Sequence, residues 1–194
     1  MVTEKEVEQI GRILVDPSRP LKARFRALFT LRNLGGAAAV AWISQGFGDD
    51  SALLKHELAY CLGQMQDERA IPVLVEVLKD PKQEPMVAET CQLAVKRLEW
   101  VRENREAPPA AGPYCSVDPA PPAEEADVGK LRQALLDESQ PLFDRYRAMF
   151  ALRNIGEKPL SWPSQTASEA AAPSSATRWL TSWVKCSMRP VSRS

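Results

Sequence analysis

The sequence predicts an all-α protein in which helical-hairpin repeats form two lobes, the second incomplete, joined by a proline-rich linker. Three observations carry that expectation. Apolar residues of the first hundred positions recur at helical rather than strand spacing. Proline and glycine cut this pattern into short units. One stretch of twenty residues occurs twice.

Leu21, Phe25, Leu28, Phe29 and Leu31 follow Pro20 at mostly three- and four-residue spacing, and Gly35-Gly36 stops the run. Proline suits a first helical turn and glycine the position after the last. A second helix is expected over 37–47, and a third over 51–65 with Asp50 or Ser51 as its N-cap. A shorter one covers 71–78 with Pro72 in its first turn, and Pro85 introduces the last, over 86–101. Short helices joined by tight polar turns are the pattern of stacked helix hairpins.

The repeat strengthens this. Asp16 to Gly35 reads DPSRPLKARFRALFTLRNLG, and Asp137 to Gly156 reads DESQPLFDRYRAMFALRNIG, aligned without a gap at an offset of 121 with 12 of 20 residues identical. Val7 and Leu14 match Val128 and Leu135 at the same offset. Two copies of one lobe start imply a tandem duplication. Between them, residues 104–127 hold Pro108, Pro109, Pro113, Pro119, Pro121 and Pro122, a composition that favours an extended, semi-rigid linker. The organisation is therefore a first lobe over 1–103, a linker over 104–127, the start of a second lobe over 128–156, and an unmatched tail over 157–194 expected to be disordered. That tail is rich in Ser, Ala and Pro and holds Trp162, Trp179 and Trp183 without sustained helical period.

Composition narrows the function classes. With 25 basic and 25 acidic residues the formal net charge is zero, which argues against a nucleic-acid or anionic-membrane footprint. No apolar stretch approaches the roughly 20 residues that span a bilayer, and the polar start does not read as a signal peptide. The expected compartment is the cytosol. Cys61, Cys91, Cys115 and Cys186 are scattered, with no CxxC pair, so neither a zinc module nor a disulfide framework is indicated. Cys61 and Cys91 fall in apolar helical patterns and read as inert buried thiols. No glycine-rich phosphate loop appears, and a Ser-His-Asp triad is excluded because the chain's one histidine has no nucleophile or orienting acid nearby in sequence.

That histidine opens the one chemically suggestive segment, SALLKHELAYCLGQM over 51–65. On a helix, Leu54, Leu58, Cys61, Leu62 and Met65 form one apolar stripe. His56, Glu57, Tyr60, Gly63 and Gln64 share the other face with Leu53, and Gly63 is expected to leave open space. An imidazole and a carboxylate side by side suit iron, manganese or zinc; a plain solvated His-Glu pair is the competing reading. Arg24, Arg26 and Arg32, repeated as Arg145, Arg147 and Arg153, read either as a strip for an acidic partner or as arginines that snorkel and pair between layers. Asp67 and Glu68 read as solvated turn residues.

LLKHELAYCLGQMQDERAIPVL, the RFRALFTLRN and RYRAMFALRN helices and the proline linker together resemble the deoxyhypusine hydroxylase family over about residues 1–156. The resemblance implies a two-lobed HEAT-repeat fold and an iron-dependent, oxygen-using monooxygenase. It implies as substrate the deoxyhypusine side chain of one translation initiation factor, with two irons held by four His-Glu pairs. Of those ligands only His56 and Glu57 carry over. The second pair would follow Met86-Val87 as Arg-His-Glu, but Ala88-Glu89-Thr90 stands there, as though one helix hairpin were removed and the helices rejoined in phase. Glu89 receives no ligand role. The internal offset places the third pair at Thr177 and Arg178, and no histidine remains for a fourth. A shortened hydroxylase, inactive alone, is the expectation; the alternative is a non-catalytic HEAT-repeat module that binds a protein partner.

Overall fold

A computed structural model describes residues 3–105 and 116–155; the expectation for 157–194 lies outside these residues. The described part is helical: α1 (Glu4–Val15), α2 (Leu21–Leu34), α3 (Gly36–Gln45), α4 (Ala52–Met65), α5 (Ile71–Lys79), α6 (Pro85–Glu103), α7 (Val128–Leu136) and α8 (Leu142–Ile155). Single 3₁₀ turns, Gly46–Gly48 and Glu68–Ala70, precede α4 and α5.

The local chemistry explains the boundaries. Thr3 opens α1 with a capping box, its hydroxyl accepting from the Glu6 N–H while the Glu6 carboxylate accepts from the Thr3 N–H at 2.7 Å. Gly35 ends α2 at φ +67°, in the left-handed region that glycine enters without steric cost. Ser51 caps α4 through the Leu54 N–H, deciding between the two N-cap candidates. Asp67 is not merely solvated: it caps the second 3₁₀ turn and pairs with Arg69, while Glu68 pairs with Arg105 at 2.8 Å.

The helices pack as a stack, with α1 against α2 and α3, α2 against α4, and α4 and α5 against α6. A continuous core runs through this lobe and includes Leu14, Leu28, Leu31, Ile43, Leu54, Leu58, Leu62, Leu74 and Leu98, each 0–2% exposed. Among the described residues the second lobe has the α7–α8 hairpin and two small apolar clusters. It borrows a surface from the first lobe, because α8 packs on α6. No described helix is long and apolar enough to cross a membrane.

The duplication is visible atom by atom. Arg24 Nε donates to the Leu14 carbonyl at 2.8 Å, and Arg145 Nε donates to the Leu135 carbonyl at 3.1 Å. Arg32 lies over the Phe29 ring and Arg153 over the Phe150 ring. Arg24 and Arg145 thus clamp consecutive helices, whereas Arg32 and Arg153 stack on rings of their own helices. The Arg24 clamp also includes a buried ion pair with Asp49 at 2.6 Å. The offset that relates the lobes puts Ala170 where Asp49 has its carboxylate, so the second copy of the sequence lacks this acid.

Part of the proline-rich linker is seated on the second lobe. Ala120 is fully buried, the Ala123 N–H donates to the Arg147 carbonyl at 3.0 Å, and Asp118 accepts two bonds from Arg153. Proline keeps the segment extended, yet residues 116–123 lie against α8 rather than bridging open solvent.

Removing one partner of a buried ion pair strands the other charge and costs roughly 3 kcal/mol or more. Arg24→Met is therefore expected to lower urea-unfolding stability by about that amount, against less than about 0.5 kcal/mol for the exposed Arg26→Met; equal effects would remove the clamp from the account. Burial pushes the Asp49 carboxyl up, but hydrogen bonds from Arg24 and Ser51 and the Arg24 charge outweigh it, so the net shift is downward. The pair's contribution is thus present at neutral pH and lost as pH falls from the ordinary carboxylate value through the folded one. Asp49→Asn should flatten that acid-side loss.

Candidate functional site

The face of α4 opposite its buried stripe looks onto a cavity of about 280 Å³. Leu54, Leu58, Cys61 and Leu62 are fully buried in the core, as the stripe requires. His56, Glu57, Tyr60, Gly63 and Gln64 line the cavity, whereas Leu53 stays 46% exposed on the outer flank of the helix. The facing wall is α6, with Met86, Glu89, Thr90, Leu93, Ala94 and Arg97. Leu142, Tyr146, Met149 and Phe150 of α8 complete the enclosure together with Pro119.

Helix register sets the polarity of this space. A Cβ added at Gly63 would lie 3.1 Å from the Ala94 Cβ, and beyond it Glu68 reaches Arg105. Gly63 is two residues from the end of α4 and Ala94 nine from the end of α6, so α6 runs on beyond α4, and the two helices run in the same direction. His56 and Glu57 fall beside the first turns of α6, near Glu89, while Gln64 falls near Arg97. One end of the cavity is acidic and the other carries a guanidinium. Gly63 borders the open space on one side, and on the other its missing side chain lets α6 approach.

At the acidic end, His56 Nδ1 lies 3.4 Å from Glu57 Oε1, with side-chain exposures of 23% and 27%. The pair is neither freely solvated nor fully enclosed. Burial pushes the Tyr146 phenol up to about 12, with the neighbouring Glu89 and Tyr60 adding to the shift. Tyr60 is raised in the same way, by burial first and then by Asp118 and Glu57. Both rings are neutral hydrogen-bonding walls at physiological pH. Cys61 and Cys91 are buried free thiols raised to about 12 by burial, which leaves them unreactive as expected. Cys115 and Cys186 lie outside the described residues.

The donor set does not fit a dinuclear iron centre. Among the described residues no three His, Cys, Asp or Glu side chains converge as a metal-binding group. The chain as a whole contains one histidine. Di-iron sites on helices draw on several carboxylates and at least two imidazoles. Glu89 shares the cavity with His56 and Glu57, a proximity that sequence reasoning missed because it depends on the register between α4 and α6. No nearby motif advertises it.

A family profile described as HEAT repeats matches residues 8–106. Human deoxyhypusine hydroxylase is 64% identical over 187 residues, covering 80% of this chain and 62% of its own length. The chicken and fruit-fly proteins of the same name are 59% and 48% identical over 80% of the chain. The solved structure of human deoxyhypusine hydroxylase in complex with glycerol superposes with a TM-score of 0.62 at 63% identity, over 78% of this chain and 63% of that one. The chain spans about three fifths of the length of these relatives.

The close approach at Gly63 has a measurable sign. Glycine to alanine in an open helix interior stabilises by about 1 kcal/mol. Gly63→Ala should instead destabilise by about 1–3 kcal/mol in thermal or urea unfolding, because its methyl meets Ala94. A stabilised variant would show that α4 and α6 are not packed as described.

Proposed function

The chain belongs to the HEAT-repeat family and is closely related to deoxyhypusine hydroxylase, and from that premise we propose that it is a form of this hydroxylase, contributing one His-Glu pair and inactive by itself. The observation that carries the reading is the position of the chain's one histidine, beside Glu57 on a cavity wall, in a chain 64% identical to the human hydroxylase over 80% of its length. In this reading the enzyme's chemistry is iron-dependent oxygenation of the deoxyhypusine side chain on a translation initiation factor. His56 and Glu57 are the ligands that these residues contribute, and the compartment is the cytoplasm.

Ligand number supports the second half of the proposal. Affinity at a metal site with few protein donors falls with each one removed, because geometry and count set it together. Four His-Glu pairs are implied by the resemblance, and a sequence with one histidine supplies one such pair. The wall that faces this pair holds Glu89, Thr90 and Leu93, which bring no imidazole. What the residues of this chain do is narrower. They fold one wall, hold the pair on a rigid helix, and enclose it with neutral phenols and apolar side chains.

The proposal is tested by loading the purified full chain with ferrous iron under anaerobic conditions and removing the excess. Fewer than two irons per chain and no hydroxylation of a deoxyhypusine-bearing substrate protein are expected. Two tightly held irons that disappear in His56→Ala, or measurable turnover, would overturn the claim of inactivity.

A further inference from the structure

The α7–α8 hairpin and the linker residues seated on it form one body. Arg145 Nε bonds the Leu135 carbonyl and so ties α8 to α7. The linker is fastened to the same hairpin. Arg153 donates to both Asp118 oxygens, at 3.0 and 2.6 Å, and the Ala123 N–H donates to the Arg147 carbonyl at 3.0 Å. Ala120 is buried in one cluster with Met149 and Phe150. Bonds between a guanidinium and a carboxylate are among the stronger hydrogen bonds in proteins. Residues 116–155 therefore cohere through polar and apolar contacts of their own.

What joins this body to the first lobe is of another kind. Gln64 Nε2 donates to the Val117 carbonyl over a long 3.4 Å, at an exposed position. Helix α8 packs on α6, but the two meet around the cavity of about 280 Å³ rather than in continuous close packing. Side chains that border such a space lack partner atoms on that side and forfeit the dispersion energy of a filled interface. Leu93 shows the arrangement: it is buried and lines the cavity, yet it is no part of the apolar core of the first lobe. Its cover comes from across the cavity, where Leu142, Tyr146, Met149 and Phe150 stand.

We propose that residues 116–155 act as a lid, swinging as a unit off the face of α4 and α6 to let a ligand into the cavity. The unequal fastening sets the line of parting. The charge-assisted bonds stay within the lid, while the long Gln64–Val117 bond and the apolar rim give way. His56, Glu57 and Glu89 remain on the fixed side, and Pro119, Tyr146 and Phe150 move. The inference concerns access and does not rest on the hydroxylase reading, so it holds or fails whether or not the chain binds iron.

Thiol labelling under native conditions tests it. In the full chain carrying Cys115→Ser and Cys186→Ser, three single substitutions place a probe. Leu93→Cys puts it on the fixed wall, Met149→Cys on the inner face of the lid, and Ala148→Cys inside the α7–α8 hairpin. The reagent is fluorescein maleimide, too bulky for a cavity of about 280 Å³. Cys91, buried in the first-lobe core, is the internal standard for global unfolding. Leu93→Cys and Met149→Cys should label at similar rates, each roughly a hundredfold or more faster than Cys91, because a partial opening costs less than unfolding. Ala148→Cys should label as slowly as Cys91, since its surroundings travel with the lid. Labelling of both cavity-facing thiols at the rate of Cys91 would mean that the lid does not open on its own. Labelling of Ala148→Cys as fast as Met149→Cys would mean that the hairpin unravels instead. Either result overturns the proposal. Should one cavity-facing variant fail to fold by circular dichroism, the other decides, since both walls report the same opening.

Discussion

Everything that faces the cavity depends on how closely α4 and α6 approach. The absence of a side chain at Gly63 lets the two backbones come together against Ala94, and that contact sets their register. Register then decides which residues share the cavity: His56, Glu57 and Gln64 of α4 with Glu89, Leu93 and Arg97 of α6. The α6 helix is continuous from Pro85 to Glu103, through the point where the resemblance leads one to expect Arg-His-Glu. Val87, Cys91, Ala94 and Leu98 stay buried along one stripe across that point. The buried stripe keeps one phase across that point, so the core there is continuous.

The duplicated arginines show how much of the fold could be read in advance. A twenty-residue repeat with Arg, Phe and Asn at fixed positions implies a repeated set of contacts, and Arg24 with Arg145, and Arg32 with Arg153, make them. The helix boundaries were legible for the same reason, since Pro, Gly and Ser act on their own neighbours. Burial was less legible. Phe29 is 38% exposed whereas its repeat partner Phe150 is 1% exposed. The residue and its local sequence are alike, but α8 packs against α6 of the first lobe.

The candidate site divides along the same line. His56 and Glu57 could be singled out because both belong to one helix face and one conspicuous motif. Glu89 and Arg97 could not, because their relation to that motif is set by packing between helices and by no spacing within either. Where the linker lies was illegible for a related reason. Its prolines announce an extended backbone, but whether an extended segment crosses solvent or lies on a helix depends on the side chains it meets, here Arg153 and the groove beside Ala120.

That a solitary imidazole sits on the cavity wall has a practical consequence for spectroscopy. The ring-proton resonances of histidine, well separated from most others in a proton NMR spectrum, belong in this chain to His56 alone. No isotope labelling or assignment by mutagenesis is needed to identify them. Line broadening or displacement of that one pair of signals reports directly on whatever enters the space between α4, α6 and α8.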